Sequence, residues 1–203
     1  GKQCIVLIPE IALTYQTLLR FYKRFGDAVS VMHSRLSAGE RYDQMKRAKR
    51  GEVQVMIGPR SALFTPFQKL GLIIIDEEHE TSYKSDSMPK YHAREVAVHL
   101  AEMTDACVVM GSATPSLEAN YRAQQGIYKK YVLSERIGDA VLPEVQIVDM
   151  RQELAGGNSS IFSRHLETAI ADRLEKRQQV MLFLNRRGIS GFVSCRACGY
   201  VMK

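Results

Sequence analysis

Short apolar runs alternate with longer amphipathic stretches along this chain, and this alternation restricts the fold more than any other feature. The apolar runs are residues 4–8, 29–32, 53–57, 72–75 and 107–110. The amphipathic stretches, which carry apolar side chains at helical spacing, are residues 13–25, 37–50 and 92–103. Strands that alternate with helices are typical of a parallel sheet flanked by helices. The sequence therefore predicts an α/β fold with about five parallel strands.

A change of composition divides the chain. Residues 134–160 are rich in glycine and small polar residues, which break any long period. We interpret residues 1–133 as one domain, residues 134–160 as a connector, and residues 161–203 as the start of a second domain. One short strand is expected inside the connector, at residues 145–148.

Local signals predict where individual helices begin. Ser37 is followed three residues later by Glu40, which is the signature of a capping box at a helix N-terminus. Ser163 opens a second amphipathic stretch in the same way, so a capped helix is expected over residues 163–176. Residues 180–184 are predicted to be the first strand of the second domain, which we expect to be incomplete.

Charge and cysteine content limit the classes of function. The formal net charge of +6 favours a polyanionic partner, although charge alone does not decide this. Cys4 and Cys107 lie in apolar runs, whereas Cys195 and Cys198 form a close pair. This is not the disulfide framework of a secreted domain, and a reducing, cytoplasmic setting fits better. No apolar run approaches the roughly 20 residues that cross a bilayer, so no membrane partner is expected.

Asp76, Glu77, Glu78 and His79 come directly after the apolar run at residues 72–75. Ligands of open α/β sheets bind at the carboxyl ends of strands. One carboxylate there can hold Mg²⁺, and a second can orient the water that attacks a γ-phosphate. The same acids would also solubilise a strand end, and this motif alone leaves that alternative open.

A turn of small and hydroxyl residues, with the sequence GSATPS at residues 111–116, follows the apolar run at residues 107–110. Alone it is an ordinary strand-to-helix turn. Combined with the earlier Asp-Glu-x-His strand end, it resembles motifs II and III of superfamily 2 helicases. That resemblance implies that Asp76 holds the Mg²⁺ of bound ATP and that Glu77 is the catalytic base. It further implies residues that couple nucleotide state to nucleic-acid binding, namely His79, Ser112, Ala113 and Thr114.

Four further stretches narrow the resemblance. They are PEIALT at residues 9–14, GPRSALF at 58–64, YHAR at 91–94 and NRRG at 185–188. Together they resemble the PriA family of replication-restart helicases over essentially the whole chain. The resemblance implies a RecA-like helicase lobe 1 without its phosphate-loop strand, then a linker. After the linker it implies the start of a second RecA-like lobe that runs into a zinc-binding insertion.

The same resemblance implies an activity and its partners. The activity is that of an ATP-dependent 3′-to-5′ DNA helicase, which remodels stalled replication forks and promotes primosome assembly in the bacterial cytoplasm. Forked and single-stranded DNA would be its substrates, and a monomer is expected. The implied protein partners are other primosome proteins, single-stranded DNA-binding protein and the loader of the replicative helicase.

Arg60 and Ser61 are candidate contacts to the DNA backbone. They follow an apolar run, and both can donate hydrogen bonds to phosphate oxygens, which position DNA without reading its sequence. The resemblance to the PriA family implies that the stretches at residues 9–14 and 58–64 correspond to motifs Ia and Ib, which contact the phosphate backbone of DNA. The alternative is that Arg60 pairs with a nearby carboxylate.

The segment over residues 83–94 interleaves aromatic and cationic side chains. Such a loop can stack bases and neutralise phosphates together, although a solvated surface loop has a similar composition. It resembles the aromatic-rich loop through which these helicases sense single-stranded DNA and switch on ATP hydrolysis. The DNA contacts expected from it are Tyr83, Lys84, Tyr91, His92 and Arg94.

Cys195 and Cys198 form half of a zinc site, because two thiolates on a tight turn supply two of four tetrahedral ligands. A thioredoxin-like redox pair is the alternative. The resemblance implies that further cysteines beyond residue 203 complete the site, so weak or absent zinc binding is expected from these two residues alone.

The sequence contains no glycine-rich phosphate loop that ends in Gly-Lys-Ser or Gly-Lys-Thr. The resemblance implies that this loop lies before residue 1 and that the arginine finger lies after residue 203. This chain alone is therefore expected not to hydrolyse ATP. Two other functions remain open: another superfamily 2 translocase, and a metal-dependent hydrolase with Asp76, Glu78, His79 and His92 as ligands.

Overall fold

The computed structural model of the chain describes residues 1–135, 143–183, 193–195, 198 and 200–202. The chain divides into two compact units, Gly1–Val132 and Leu133–Lys203. The candidate site lies in the first unit.

The first unit is built on a five-stranded sheet in which every pair of neighbouring strands is parallel. The strands are β1 (Gln3–Leu7), β2 (Val29–Val31), β3 (Val55–Gly58), β4 (Leu70–Ile75) and β5 (Cys107–Met110). Their order across the sheet is β2-β3-β1-β4-β5. The predicted parallel α/β fold is confirmed, and each strand falls on one of the apolar runs to within a few residues.

Four α-helices belong to this unit: α1 (Tyr15–Phe25), α2 (Ala38–Lys49), α3 (Ala93–Thr104) and α4 (Leu117–Gln124). Each begins at a side chain that accepts a hydrogen bond from the first turn. The capping residues are Thr14, Ser37, His92 and Ser116. The backbone N–H of Ser37 also donates to the Glu40 carboxylate, so the predicted capping box is confirmed.

The sheet has a core on each face, because successive strand residues point to opposite sides. On one face Ile5, Leu7, Ile73 and Ile75 pack with the buried alanines of α3, which are Ala93, Ala97 and Ala101. On the other face Val6 and Ile57 pack against α1 through Leu18 and Phe21. Helices thus cover both faces, and the strands read as continuous apolar runs for that reason.

The register of the strands gathers four polar turns at one edge of the sheet. Leu7 pairs with Gly58 on one side and with Ile75 on the other, and Ile75 pairs with Met110. The polar residues that follow these ends therefore lie along the same carboxyl edge, where ligands of such sheets bind. Gly58 is required at its position, because an added β-carbon would collide with the carbonyl oxygen of Met32.

The second unit contains α5 (Met150–Ala155), α6 (Arg164–Glu175) and an antiparallel pair, β6 (Val193–Ser194) with β7 (Val201–Met202). The helix predicted over residues 163–176 is confirmed, with Ser163 as its N-cap. Among the described helices of the whole chain, none is both long and apolar enough to cross a membrane.

Two predicted strands of the second unit need correction. Residues 145–148 and 180–183 form no strand, and Leu184 lies outside the described residues. The side chains of Ile147 and Met181 are almost fully exposed. An apolar run becomes a strand when it pairs with another strand, and the described residues offer no strand that pairs with these runs.

Candidate nucleotide and nucleic-acid site

The turn after β4 presents Asp76 at the carboxyl edge of the sheet. The backbone N–H of Asp76 still donates to the carbonyl of Leu7, 2.9 Å away, so the sheet fixes its main chain. Its carboxylate Oδ1 accepts a bond from the N–H of Glu77 at 3.2 Å. Glu77 itself has a φ of +47°, in the left-handed region that non-glycine residues adopt at a cost. The backbone therefore turns sharply between two adjacent carboxylates.

Glu78, by contrast, points into the protein and is 3% exposed. Its Oε2 lies 3.1 Å from Nη1 of Arg94, which is 5% exposed. Ser116 binds the same carboxylate twice, through its N–H to Oε1 at 2.6 Å and through its hydroxyl to Oε2 at 3.0 Å. Arg94 Nη1 also lies 2.7 Å from the Ser116 hydroxyl. These three residues, which we call the buried triad, join the turn after β4 to α3 and α4.

His79 connects the two motifs that resemble helicase motifs II and III. Its Nδ1 lies 2.6 Å from the hydroxyl oxygen of Ser112, and 3.6 Å from a carboxylate oxygen of Glu77. Ser112 in turn accepts a bond from the N–H of Thr114 at 3.0 Å. The turn after β4 and the turn after β5 are therefore joined at the surface by His79 and in the interior by the buried triad.

Tyr83 contacts the turn after β4, residues 76–79, which we call the acidic turn. Its side chain is 1% exposed. Its hydroxyl donates to the main-chain carbonyl of Asp76 at 2.7 Å. Burial raises the pKa of this phenol, and the negative charges of Asp76, Glu80 and Glu77 raise it further. Tyr83 is thus a neutral hydrogen-bond donor that supports the backbone of the acidic turn.

Arg60 joins the short 3₁₀ helix after β3 (Arg60–Phe64) to the loop between β4 and α3. Its Nη1 donates to the carbonyl of Ser82 at 3.0 Å and to that of Lys84 at 2.6 Å. Its guanidinium also lies over the ring of Tyr91, 6.0 Å from the centroid. Among the described residues, Arg60 therefore pairs with no carboxylate, as the alternative required; its partners are carbonyls and an aromatic ring.

The loop over residues 84–92 closes on itself. Lys84 and His92 form an antiparallel bridge, and the N–H of Ser85 donates to the carbonyl of Tyr91 at 2.8 Å. The ring of Tyr91 meets that of Phe64 edge to face, with 5.5 Å between centroids. Because Phe64 is 57% exposed, this aromatic pair reaches the surface. The side chain of Lys84, in the same loop, is also exposed.

Residues 1–122 of the chain match the DEAD/DEAH box helicase family. That match covers more than half of the chain, and it includes the acidic turn and the turn after β5. The chain belongs to the DEAD/DEAH box helicase family.

Within this helicase family, the chain matches replication restart protein PriA. It is 54% identical over 201 residues to the PriA of Bacillus subtilis, covering 99% of this chain and 25% of that protein. The PriA of Synechocystis is 52% identical over 208 residues, covering 100% of this chain and 25% of the relative. For Chlamydia trachomatis PriA the identity is 46% over 205 residues, with 100% and 27% covered. The chain thus spans about a quarter of the length of the curated relatives it matches.

Among solved structures, the C-terminal domain of Dbp5 from S. cerevisiae overlaps 61% of this helicase chain and 82% of the Dbp5 chain, with 13% identity and a TM-score of 0.33.

Two of the predicted DNA contacts do not face solvent in this structure. The sequence predicts that Tyr83 and Arg94 contact DNA, but both side chains are buried. The hydroxyl of Tyr83 is bound to Asp76, and the guanidinium of Arg94 is bound to Glu78 and Ser116. A side chain that is already enclosed and hydrogen-bonded cannot reach a base or a phosphate without leaving its partners.

The metal-dependent hydrolase alternative also fails. It requires Asp76, Glu78, His79 and His92 to converge on one ion. Glu78 is instead paired with Arg94, and His92 caps α3 by accepting a bond from the N–H of Arg94. In the part of the chain that the structure describes, no group of three or more His, Cys, Asp and Glu side chains is placed to hold a metal ion.

The cysteine pair lies in the second unit. Cys195 and Cys198 are both exposed, and the N–H of Cys195 donates to the carbonyl of Tyr200 at 2.7 Å, beside the β6–β7 pair. The other residues of that turn, and the NRRG stretch at residues 185–188, lie outside the described residues. The zinc half-site stays a prediction.

Three residues of the site were missed by sequence reasoning. The sequence indicates Glu78 only as a metal ligand and Ser116 only as part of a turn, yet both belong to the buried triad. The N-cap preference of serine after Pro115 was the available signal for Ser116. Phe64 belongs to the GPRSALF stretch, but its exposure and its contact with Tyr91 are known only from the structure.

Proposed function

We propose that this chain supplies the Mg²⁺-binding side of the ATP site in an ATP-dependent DNA helicase that acts in replication restart. The observation that carries the proposal is the joined pair of turns at the carboxyl edge of the sheet. The Asp76 and Glu77 carboxylates stand on one turn, and His79 connects it to Ser112 on the other.

Asp76 is the residue that would hold Mg²⁺, since it is an exposed carboxylate at the end of a buried strand. When bound, the ion supplies positive charge to the phosphate oxygens during transfer. Glu77 is the candidate base that orients and deprotonates the attacking water. Its left-handed backbone turns the chain directly after the Asp76 carboxylate.

His79, Ser112, Ala113 and Thr114 are proposed to couple the nucleotide to DNA. A hydrogen bond between His79 and Ser112 links the turns, and the bond from Thr114 to Ser112 extends that link along the second turn. A change at the phosphates that moves the acidic turn would therefore also move the turn after β5.

On the DNA side, Arg60, Ser61, Lys84, Tyr91 and His92 are the proposed contacts. Ser61 and Lys84 are exposed, and Arg60 and Tyr91 are half-buried. Cations and an aromatic ring at one surface suit single-stranded DNA, because bases stack on rings while phosphates meet positive charge. These contacts read the backbone and not the sequence.

The wider biological role rests on relatives that are named replication restart protein PriA. By that likeness we propose 3′-to-5′ movement on forked and single-stranded DNA, remodelling of stalled forks and primosome assembly. Primosome proteins, single-stranded DNA-binding protein and the loader of the replicative helicase are the proposed partners. A monomer in the bacterial cytoplasm is the proposed state.

The proposed domain organisation follows the same likeness. Residues 1–133 would be helicase lobe 1, residues 134–160 the linker and residues 161–203 the start of lobe 2 with a zinc-binding insertion. Zinc binding by Cys195 and Cys198 requires two further ligands. This zinc binding is tested by measuring the zinc content of the full-length protein and of its Cys195→Ser, Cys198→Ser double variant. We expect the double variant to contain less zinc than the wild type.

Unwinding of a forked DNA duplex by a full-length protein that carries this chain tests the proposed function. We expect ATP-dependent unwinding that the Asp76→Asn variant lacks. Asp105→Asn is the matched control, since Asp105 ends α3 in a left-handed conformation that asparagine also adopts. An RNA duplex in the same assay addresses the other candidate, a superfamily 2 translocase on RNA, which would unwind RNA in preference to DNA.

A further inference from the structure

The buried triad joins three elements that the proposed reaction needs. Glu78 lies two residues after Asp76, and Ser116 lies two residues after Thr114. Arg94 lies in the first turn of α3, directly after the DNA-facing loop over residues 84–92. One carboxylate therefore binds both the helix that follows the loop and the turn that follows β5.

The chemical composition of the buried triad favours a role in positioning the two turns. A buried ion pair contributes little stability compared with apolar residues of the same size, because both charges have left water. Its hydrogen bonds, however, allow few arrangements of the groups that form them. The triad therefore restricts the relative positions of the two turns more than it stabilises the fold.

The triad is also incomplete. Nε of Arg94 is buried and has no hydrogen-bond partner among the described residues. Oε1 of Glu95 lies 3.8 Å from it, and the same oxygen is bound by Arg122 of α4 at 3.1 Å. Nearly all buried donors in native proteins are satisfied, so the described contacts do not saturate the Arg94 guanidinium.

We propose that Glu78 and Ser116 are positioning residues, which act through Arg94 to set the spacing between the Asp76–Glu77 turn and the Ser112–Thr114 turn when DNA engages the loop. This inference rests on the proposed function, since it concerns how DNA stimulates ATP hydrolysis. It assigns Arg94 to the interior of the protein, where it transmits the position of the loop without touching DNA.

Substitutions at Ser116 separate positioning from simple stabilisation. Ser116→Gly removes the hydroxyl but leaves a residue that is accepted at a helix N-cap, and Ser116→Thr keeps the hydroxyl. Ser116→Ala is a second variant without the hydroxyl. Ser163→Gly is the matched control, because Ser163 caps α6 in the same way without an ion pair beside it.

The variants are compared in the full-length protein by kcat and KM for ATP with and without single-stranded DNA, by DNA affinity and by Tm. For Ser116→Gly we expect DNA-stimulated kcat to fall about tenfold, as is typical when an outer partner of a site residue is removed. The KM for ATP and the DNA affinity stay unchanged. Ser116→Thr restores the stimulated rate, and Ser163→Gly keeps it.

Wild-type stimulated kcat in both Ser116→Gly and Ser116→Ala would overturn the inference, whatever their Tm. A fall in Tm that matches the fall in Ser163→Gly, with kcat unchanged, would overturn it equally. Failure of the proposed function gives a different result, because DNA would then not raise kcat even in the wild-type protein. That result would overturn both the proposed function and this inference.

Discussion

The hydroxyl of Tyr83 donates a hydrogen bond of 2.7 Å to the main-chain carbonyl of Asp76. Tyr83, which lies directly before the loop over residues 84–92, is thereby bound to the backbone of the residue proposed to hold Mg²⁺. Directly after the same loop, Arg94 is bound to Glu78. The residues on both sides of the loop are thus bound to the acidic turn, which connects the proposed DNA-contacting loop to the proposed Mg²⁺-binding residue.

Replacing Tyr83 by phenylalanine tests the first of these connections. The variant leaves the Asp76 carbonyl without its buried partner, so the free energy of unfolding should fall by about 0.5–1.5 kcal/mol, the usual net value of one hydrogen bond. Urea denaturation of the chain measures this change. Tyr121→Phe, at an exposed tyrosine of α4, should leave the free energy of unfolding unchanged. Equal effects of the two variants would show that the Tyr83 bond is unimportant.

The buried triad predicts a large stability effect from a single charge. Glu78→Ala leaves the Arg94 guanidinium buried without its carboxylate, which costs about 3–5 kcal/mol. An exposed pair offers the comparison: Lys176 and Asp172 lie one helical turn apart on α6 at 2.7 Å. Lys176→Ala should cost at most about 1 kcal/mol. Similar shifts of the unfolding midpoint in the two variants would contradict the assignment of Glu78 and Arg94 to the interior.

The sequence was sufficient to predict the sheet and the position of Asp76 at the end of a buried strand. A run such as Ile73-Ile74-Ile75 followed by Asp76 marks both a buried strand and its polar end locally, so no tertiary information was needed. The capping box at Ser37 and Glu40 was readable for the same reason, since all its contacts lie within one turn of helix.

The interior part of the site could not be predicted in this way. Glu78 and Arg94 are 16 residues apart, and Glu78 and Ser116 are 38 apart, so their contacts depend on how the strands pair. The composition of the aromatic loop suggested DNA contacts for Tyr83, Lys84, Tyr91, His92 and Arg94. Whether each side chain faces solvent or folds back, as Tyr83 and Arg94 do, depends on packing against the acidic turn and not on residue type.

Lys84 is predicted to meet a phosphate of single-stranded DNA. It is exposed and lies where the loop closes opposite His92. In the full-length protein, Lys84→Ala should weaken DNA binding about equally for all sequences. It should also reduce the slope of log affinity against log salt by about 0.7, the value for one phosphate contact on a single strand. Lys49→Ala, at an exposed lysine of α2, controls for net charge; a matching change in its slope would contradict a specific contact.

The cap of α3 predicts a dependence of stability on pH. Burial lowers the pKa of His92 below 6.5, and the neighbouring charge of Arg94 lowers it further, against smaller opposing effects of Glu95, Glu78 and Glu118. The unfolded chain therefore binds a proton more readily than the folded chain. Stability from this residue is complete above pH 6.5 and is lost as the pH falls from 6.5 through the lower folded pKa.

The variant His92→Asn isolates this contribution, because asparagine caps helices without titrating. We expect the Tm of the wild-type chain to decline more steeply than that of His92→Asn as the pH falls through this window. Parallel declines would show that protonation of His92 does not destabilise the fold.

ATP hydrolysis by a full-length protein that carries this chain, measured with and without single-stranded DNA, is the decisive experiment for the proposed site. We expect hydrolysis that DNA stimulates strongly in the wild type and that Glu77→Gln abolishes while ATP still binds. Hydrolysis that persists in Glu77→Gln, or that DNA does not stimulate in the wild type, would contradict the proposed roles of Glu77 and of the loop.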